Sequence, residues 1–181
     1  MNITNSEFIL MILIIENKEI SGYKMNILIE ERGYREWAGI GSTSIYKGLK
    51  RLENLGFICS SLDVHKTTKG PIGKKYKITR FGKKQLSEEL KSGLSGTKGQ
   101  NQRFKIALSG IDLLENSVVP DLLENRVLFL NSEYKRLSKM KKLTKHEPLK
   151  VQMLFEHSLR AIRSESKFTV YLAEQYKRRD A

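Results

Sequence analysis

The chain has 181 residues, of which 39% are hydrophobic and 29% are charged. This length and composition exclude an intrinsically disordered chain and allow one or two small domains with apolar cores. Lys and Arg outnumber Asp and Glu by 33 to 20, a formal net charge of +13. Such a balance favours a polyanionic partner such as nucleic acid, with general solubility as the alternative reason for it.

Cysteine content and apolar runs indicate a cytoplasmic protein. Cys59 is the only cysteine, so neither a disulfide framework nor a cysteine-based zinc site can form within one chain. The longest apolar run covers residues 8–15, well short of the roughly 20 residues that span a bilayer. The run also lacks the basic flank and cleavage site of an export signal. We therefore expect a reducing compartment and no membrane partner.

The N-terminal pattern predicts two helices in succession. Residues 5–17 have few turn-forming residues and favour a buried helix, although a central strand is the alternative for so β-branched a run. Ser21 is the expected N-cap of the second helix, and Gly33 its expected terminator. A connector over residues 34–41 follows and holds Trp37.

A basic amphipathic helix over residues 42–56 comes next. Its apolar residues recur at three- and four-residue steps, and its polar and basic residues fall largely on the opposite face. Ser42 is the expected N-cap, and Gly56 is the expected end of the helix. Its length suits the DNA major groove, and the order helix, helix, connector, basic helix is that of a helix-turn-helix unit. We interpret residues 42–56 as a recognition helix.

The segment after this helix predicts a β-hairpin, or wing. Residues 57–65 alternate, with Ile58, Leu62 and Val64 on one side, residues 66–73 contain the Gly and Pro of a turn, and residues 74–78 alternate again. Residues 65–84 contain eight Lys or Arg and no Asp or Glu, which favours phosphate contacts. A solvated hairpin whose lysines protect its edge is the alternative. Thr79 is expected to cap a helix that runs to about residue 90.

The C-terminal half predicts helices only. Residues 93–102 contain three glycines and indicate a linker. Helical periodicity then covers residues 103–116, a segment that begins at Pro120 and runs to about 143, and residues 149–178. Two helices this long cannot bury their apolar stripes alone in so small a domain, which favours a partner chain. The candidate dimerisation residues are Ile106, Ile111, Leu123, Val127, Leu130, Leu154, Leu159, Ile162, Leu172 and Tyr176.

The predicted fold is mainly α, with an N-terminal winged helix-turn-helix that has a two-stranded β wing and a C-terminal helical dimerisation domain. The predicted boundaries are 1–92 for the DNA-binding domain, 93–102 for the linker and 103–181 for the dimerisation domain. Polar and basic side chains on the exposed helix face, the preceding helix start and the wing are the expected DNA contacts. They are Ser21, Tyr23, Lys24, Ser42, Thr43, Ser44, Tyr46, Lys47, Lys50, Arg51, Lys66, Lys69, Lys74 and Lys75.

Several of these residues have alternative roles. Arg51 can pair with a guanine edge, although phosphate contact is commoner, and the Tyr46 ring can simply pack between helices. A further basic run over residues 135–145 fits either a docking face for DNA or an acidic protein, or a solvated helix end.

Catalytic patterns are missing from the sequence. His65, His146 and His157 lack a spacing suited to a metal, and neither a glycine-rich phosphate loop after a strand nor a nucleophile elbow occurs. We therefore expect no enzymatic activity and no cofactor.

The order of elements and three groups of residues resemble the PadR family of prokaryotic transcriptional regulators. The groups are Ser21-Gly22-Tyr23, then Ser44-Ile45-Tyr46 with residues 49–53 and 55–58, and residues 75–79 with Gly82. The resemblance implies a homodimeric winged-helix regulator, commonly a repressor, that responds to a small aromatic or cationic effector near the dimer interface. Lys47 stands where the family usually has proline, and Thr43 where it usually has glycine.

The sequence thus predicts a homodimeric regulator that binds double-stranded DNA at a pseudo-palindromic operator, with release by an effector as a further expectation. The alternatives are a nonspecific architectural DNA- or RNA-binding protein and a ligand-independent activator. Nonspecific binding would show a salt dependence without a sequence preference.

Overall fold

The computed structural model describes residues 2–62, 73–96 and 102–179 and is mainly helical, with one small antiparallel sheet. Two short 3-10 turns, Ile111–Leu113 and Asn116–Val118, precede α7. The helices and strands are α1 Asn5–Glu16, β1 Ile20–Ser21, α2 Gly22–Glu31, α3 Tyr34–Ala38, α4 Ser42–Asn54, β2 Ile58–Leu62, β3 Lys74–Ile78, α5 Arg80–Ser95, α6 Gln102–Ser109, α7 Val119–Leu143 and α8 Leu149–Arg179.

The chain forms two compact units. The first contains the residues up to Leu90 together with Lys105–Gly110, and the second contains Lys91–Phe104 and the residues from Ile111 onward. Among the described residues, the helices are too short or too polar to cross a bilayer.

Helix α1 is the central helix of the first unit. Thr4 caps it in a capping box: its hydroxyl accepts the Glu7 backbone N–H at 3.2 Å, and the Glu7 carboxylate accepts the Thr4 N–H at 2.7 Å. Every residue from Glu7 to Ile14 is buried. Burial on all sides explains why the run is apolar without helical periodicity, and it confirms the helix over the alternative strand.

The second helix has the predicted caps, but the connector after it contains an unpredicted helix, α3. The Ser21 hydroxyl accepts the Lys24 N–H at 3.2 Å, and Gly33 has a φ of 66°. Arg35 fixes α3 because its guanidinium donates to Asn26 at 2.6 Å and to the Ile40 carbonyl at 3.1 Å. The connector is thus a folded element that sets the entry into α4.

The two predicted strands pair antiparallel, and a third strand that was not predicted joins them. The sheet order is β1-β3-β2, and Ile20 of β1 pairs with Tyr76 of β3. Ile58 and Leu62 lie four residues apart on β2 and therefore share one side of the strand, as predicted, but they differ in burial. Ile58 is 2% exposed and Leu62 is 60% exposed, because only the start of β2 is covered by the core. Val64 and His65 lie outside the described residues.

Thr79 caps α5 as predicted, but this helix is longer than expected. The Thr79 hydroxyl accepts the Gly82 N–H at 3.0 Å and donates to the Gly56 carbonyl at 2.7 Å. The helix continues to Ser95, into the segment predicted as a linker. Its apolar stripe persists through the buried Leu94, which offsets the low helix propensity of the nearby glycine.

Helix α6 is shorter than predicted. It ends at Ser109 and is followed by a 3-10 turn, whereas the sequence favoured one helix to residue 116. Gly110 follows the last helical residue, and the low helix propensity of glycine favours an end there. A Cβ at Gly110 would lie 3.0 Å from side-chain carbons of both Ile12 and Leu90, so a larger residue would force these side chains to shift.

The second unit is dominated by α7 and α8, whose bounds match the prediction closely. Pro120 lies in the first turn of α7, where its missing N–H costs nothing. The two helices run antiparallel, as the ion pairs Lys141–Glu156 and Arg126–Glu165 require. Arg126 is 2% exposed and lies with its guanidinium carbon 4.2 Å from the Phe104 ring centroid.

Candidate nucleic-acid interface

Helix α4 presents two chemically distinct faces. Ile45, Leu49 and Leu52 are at most 1% exposed and pack into the first unit. The opposite face is open to solvent and polar or basic, as the sequence predicted. Its exposed residues are Ser42, Thr43, Tyr46, Lys47 and Lys50, and Ser44 is half-buried.

The start of α4 differs from the prediction. Gly41, not Ser42, is the N-cap, and it provides no side-chain hydrogen bond. Ser42 is the first helical residue, which leaves backbone N–H groups of the first turn without a capping side chain. These groups lie beside three exposed or half-buried hydroxyl residues, and the positive end of a helix favours a phosphate oxygen.

The Tyr46 ring packs on α2 and remains largely accessible. A Cβ at Gly22 would lie 3.1 Å from a ring carbon of Tyr46, so only glycine lets the ring approach this closely. The side chain is nevertheless 60% exposed. The packing alternative therefore accounts for one side of the ring, and the other side faces solvent next to the first turn of α2, where Tyr23 is 72% exposed and Lys24 is exposed.

Arg51 is engaged within the fold. Its guanidinium forms a bond with the buried Glu7 carboxylate and donates to the Asn2 carbonyl at 3.2 Å. Its side chain is 46% exposed. A DNA contact by Arg51 stays a prediction, but the charge of Arg51 is already paired.

The wing is held to α4 through Glu53. The Ser60 hydroxyl of β2 donates to Glu53 at 2.5 Å, and the Lys74 ammonium of β3 lies 3.9 Å from the same carboxylate. Burial, with the nearby Glu53 and Tyr46 as smaller causes, raises the pKa of Tyr76. Lys74 is exposed, Lys75 is half-buried, and both are at the N-terminal end of β3. Lys66 and Lys69 lie outside the described residues.

Glu7 and Glu53 hold the recognition helix to α1 and to the wing, and neither is among the predicted site residues. The pattern Thr4-x-x-Glu7 is a capping-box signature that would have identified Glu7. The pairings with Arg51 and with the wing depend on tertiary structure, so local patterns give no sign of them. Within the described residues, the side chains of His, Cys, Asp and Glu form no cluster able to hold a metal ion.

The predicted dimerisation residues divide by burial. Ile106 is fully buried in the first unit. Five others, Ile111, Leu123, Leu130, Leu159 and Tyr176, are buried within the second unit. Val127, Ile162 and Leu172 are half-buried, and Leu154 is 67% exposed. Their role in dimerisation stays a prediction.

Other apolar residues of α7 and α8 are more accessible than most of those predicted. Leu128 is 68% exposed, Tyr171 is 57% exposed and Val170 is 40% exposed. Leu128 and Val170 border a cavity of 330 Å³ between the two helices. Exposed apolar groups around a cavity are characteristic of a protein interface.

The N-terminal part of the chain is similar to a known protein family. Residues 9–88 match the family described as transcriptional regulator PadR-like. No curated protein matches the chain.

Solved structures also align with the chain, among them PadR and a PadR-like regulator. PadR of Bacillus subtilis in complex with operator DNA is 18% identical, covers 94% of this chain and 98% of its own, and has a TM-score of 0.39. The PadR-like regulator BC1756 of Bacillus cereus is 15% identical, with 97% of each chain covered and a TM-score of 0.40. The smu.1604c protein of Streptococcus mutans is 22% identical, covers 91% of this chain and 96% of its own, and has a TM-score of 0.40. Because these TM-scores are below 0.5, the family match alone bears on function.

Proposed function

We propose that this chain, whose residues 9–88 belong to the PadR-like family of transcriptional regulators, is a homodimeric repressor that reads a pseudo-palindromic operator. The family is one of transcription regulators, and we assign the chain no enzymatic activity. The observation that best supports this function is the outward face of α4. Exposed hydroxyls, Tyr46, Lys47 and Lys50 lie on this face, and the start of the helix has no capping side chain.

The predicted DNA contacts are of two kinds, to base edges and to the phosphate backbone of DNA. Side chains on the outer face of α4 enter the major groove, where hydroxyl and ammonium donors meet base edges and phosphates. Tyr23 and Lys24 at the start of α2, and Lys74 and Lys75 on β3, contact the flanking phosphates. Phosphate contacts add affinity and salt dependence but carry no sequence information.

Dimerisation supplies the symmetry of the operator. The exposed apolar groups of α7 and α8 bury against a second copy, which places two α4 helices in successive major grooves. Half-site centres then lie about 34 Å apart, one helical turn, or a small multiple of it. In this proposal residues 1–92 form the DNA-binding domain, 93–102 the linker and 103–181 the dimerisation domain.

Regulation and location complete the proposal. The protein acts in the cytoplasm, and a small aromatic or cationic effector releases it from DNA by favouring one dimer geometry. The family resemblance supports the effector and the repressor role.

Selection of bound sequences from a random duplex pool tests the proposal. At about 150 mM salt the Debye length is roughly 8 Å, which weakens purely electrostatic binding. We expect enrichment of an inverted repeat. Absence of any enriched motif would instead favour the nonspecific architectural nucleic-acid binder, and a single unrepeated half-site would contradict the dimeric mode of binding.

A further inference from the structure

A groove between α7 and α8 in the second unit has no role in the proposed reading of DNA. It consists of two adjoining cavities of 390 and 300 Å³ that share Tyr134 and Arg163. All the residues that line it belong to α7, α8 or the turn between them. The groove is therefore formed within one protomer, and its size is that of a small-molecule pocket.

Positive charge dominates the lining of the groove. Lysines of α7 and cationic residues of α8 border the same groove, offset from one another along the antiparallel pair. Glu156 is the single carboxylate among the lining residues. The cationic residues are Lys141, Lys142, Lys145, Arg160, Arg163 and Lys167.

Glu156 neutralises only a small part of this charge. The Lys141 ammonium lies 2.5 Å from one carboxylate oxygen of Glu156, and the Arg160 Nε lies 2.8 Å from the other. The hydrogen bond from Lys141, followed by that from Arg160, lowers the pKa of Glu156 to about 2, so the carboxylate is ionised at neutral pH. Its one negative charge is already shared between these two cations.

The other four cations of the groove have no ion-pair partner in the part of the chain that the structure describes. They are Lys142, Lys145, Arg163 and Lys167. Like charges held along one groove repel one another, and a bound anion offsets that repulsion.

Uncharged residues give the groove the rest of a binding site. Tyr134, Leu159 and Ile162 provide apolar surface, and Ser138 provides a hydroxyl that can donate to a ligand. A lining of apolar surface with a few convergent polar groups is typical of sites that bind small molecules.

We propose that the groove binds a small molecule that carries two or more phosphate groups. A single carboxylate would leave most of the positive charge uncompensated, whereas a polyphosphate matches several cations at once. The Arg163 guanidinium suits a phosphate because its planar fork can donate two hydrogen bonds. A second copy of this chain is assigned instead to the exposed apolar groups around Leu128 and Val170.

The test is calorimetric titration of the full-length protein with inorganic tripolyphosphate at about 150 mM salt, where screening weakens nonspecific attraction. The variant Lys142→Gln/Arg163→Gln removes two unpaired cations of the groove. A matched variant, Lys135→Gln/Lys139→Gln, removes two exposed charges of α7 that do not line it. We expect one site per chain in the wild type, at least roughly tenfold weaker binding in the groove variant, and less than about twofold change in the matched variant.

A third variant, Lys47→Gln/Lys50→Gln, separates the groove from the face of α4. Retained tripolyphosphate binding in this variant supports the groove as the site, whatever its effect on DNA. Three outcomes would overturn the proposal. They are loss of tripolyphosphate binding in Lys47→Gln/Lys50→Gln, equal losses in the groove variant and the matched variant, and failure of the wild type to bind. Competition by duplex DNA that disappears in the groove variant alone would also overturn it, by identifying the groove as a nucleic-acid contact.

Discussion

Arg51 of the recognition helix is bonded to Glu7 of the central helix α1, and Glu7 is only 2% exposed. The same carboxylate closes the capping box with Thr4. One buried charge thus fixes the start of α1 and the last turn of α4. Because a buried carboxylate without a partner is costly, the pair constrains where α4 lies in the first unit.

We expect Glu7→Gln to destabilise the protein by about 2 kcal/mol, since the amide keeps a hydrogen-bond acceptor but loses the charge that Arg51 needs. The measurement is urea denaturation at neutral pH. The control is Glu16→Gln, which breaks the more exposed pair with Arg32 and should cost no more than about 0.5 kcal/mol. Equal costs for the two variants would show that the Arg51–Glu7 pair does not fix α4.

Specific DNA binding should depend on Lys47 and Lys50, which are exposed and can be changed without disturbing the core. We expect Lys47→Gln/Lys50→Gln to weaken binding to the selected operator by roughly 10- to 100-fold and to leave thermal stability unchanged. Arg51 is left intact because its loss would leave the buried Glu7 carboxylate without its charge partner. Fluorescence anisotropy with labelled operator measures the effect.

The charge-matched control for this experiment is Lys135→Gln/Lys139→Gln on α7. It should reduce operator affinity by less than about threefold, since remote charges act only through screened, long-range attraction. A comparable loss in the control would mean that the net charge of the chain, and not the α4 face, determines affinity.

The sequence predicted the elements whose causes are local. Ser21 and Gly33 bound α2, and Thr79 starts α5, because caps and left-handed glycines act within a few residues. Ser42 shows where such local patterns fail. Serine is a preferred N-cap residue, so Ser42 was predicted as the cap, whereas the helix begins at Ser42 and Gly41 is the N-cap.

Tertiary relationships were beyond the reach of these patterns. Strand β1 has two residues, Ile20 and Ser21, and exists because β3 is adjacent to it. Arg51 and Glu7 are separated by 44 residues, and the basic character of Arg51 alone favours DNA as readily as an internal carboxylate. Periodicity identifies which side of a helix is polar, but not which of its charges the fold itself uses.

Dimerisation should depend on the apolar groups around the 330 Å³ cavity of the second unit. We expect Leu128→Glu/Val170→Glu to raise the dimer dissociation constant by more than about 100-fold, because each buried aliphatic side chain contributes roughly 1.5–3 kcal/mol. Sedimentation velocity measures it. Truncation at residue 96 is a poorer test, since Ile106 and Ala107 belong to the core of the first unit.

Leu62→Glu is the control for the dimer experiment. Leu62 is 60% exposed on β2 of the first unit, so the same chemical change there should leave the dimer intact. A wild type that is monomeric at micromolar concentration would contradict dimerisation itself, and an unaffected double variant would place the interface elsewhere.

Tyr176 should make the protein lose stability as the pH rises into the alkaline range. Burial, followed by its hydrogen bond to Asp112, raises the pKa of Tyr176 to about 12 from 10.0. The native state therefore favours the neutral phenol, and its contribution is complete below pH 10 and is lost as pH rises towards 12. We expect the thermal midpoint to fall more steeply over this range in the wild type than in Tyr176→Phe. Parallel curves would contradict the assignment.

Gly82 should be the least tolerant position in the first turn of α5. A Cβ there would lie 1.9 Å from the Phe57 carbonyl oxygen and 2.8 Å from its carbon, both backbone atoms that cannot rotate away. We expect Gly82→Ala to cost at least about 3 kcal/mol by forcing α5 from the sheet, or to prevent folding. The matched control is Gly73→Ala, where an added Cβ meets nothing within 4 Å, so the change should be less than about 0.5 kcal/mol. Urea denaturation compares the two, and circular dichroism identifies a variant that does not fold. Similar stabilities would mean that α5 and Phe57 are not in such close contact, which would also remove the physical reason for glycine at this position.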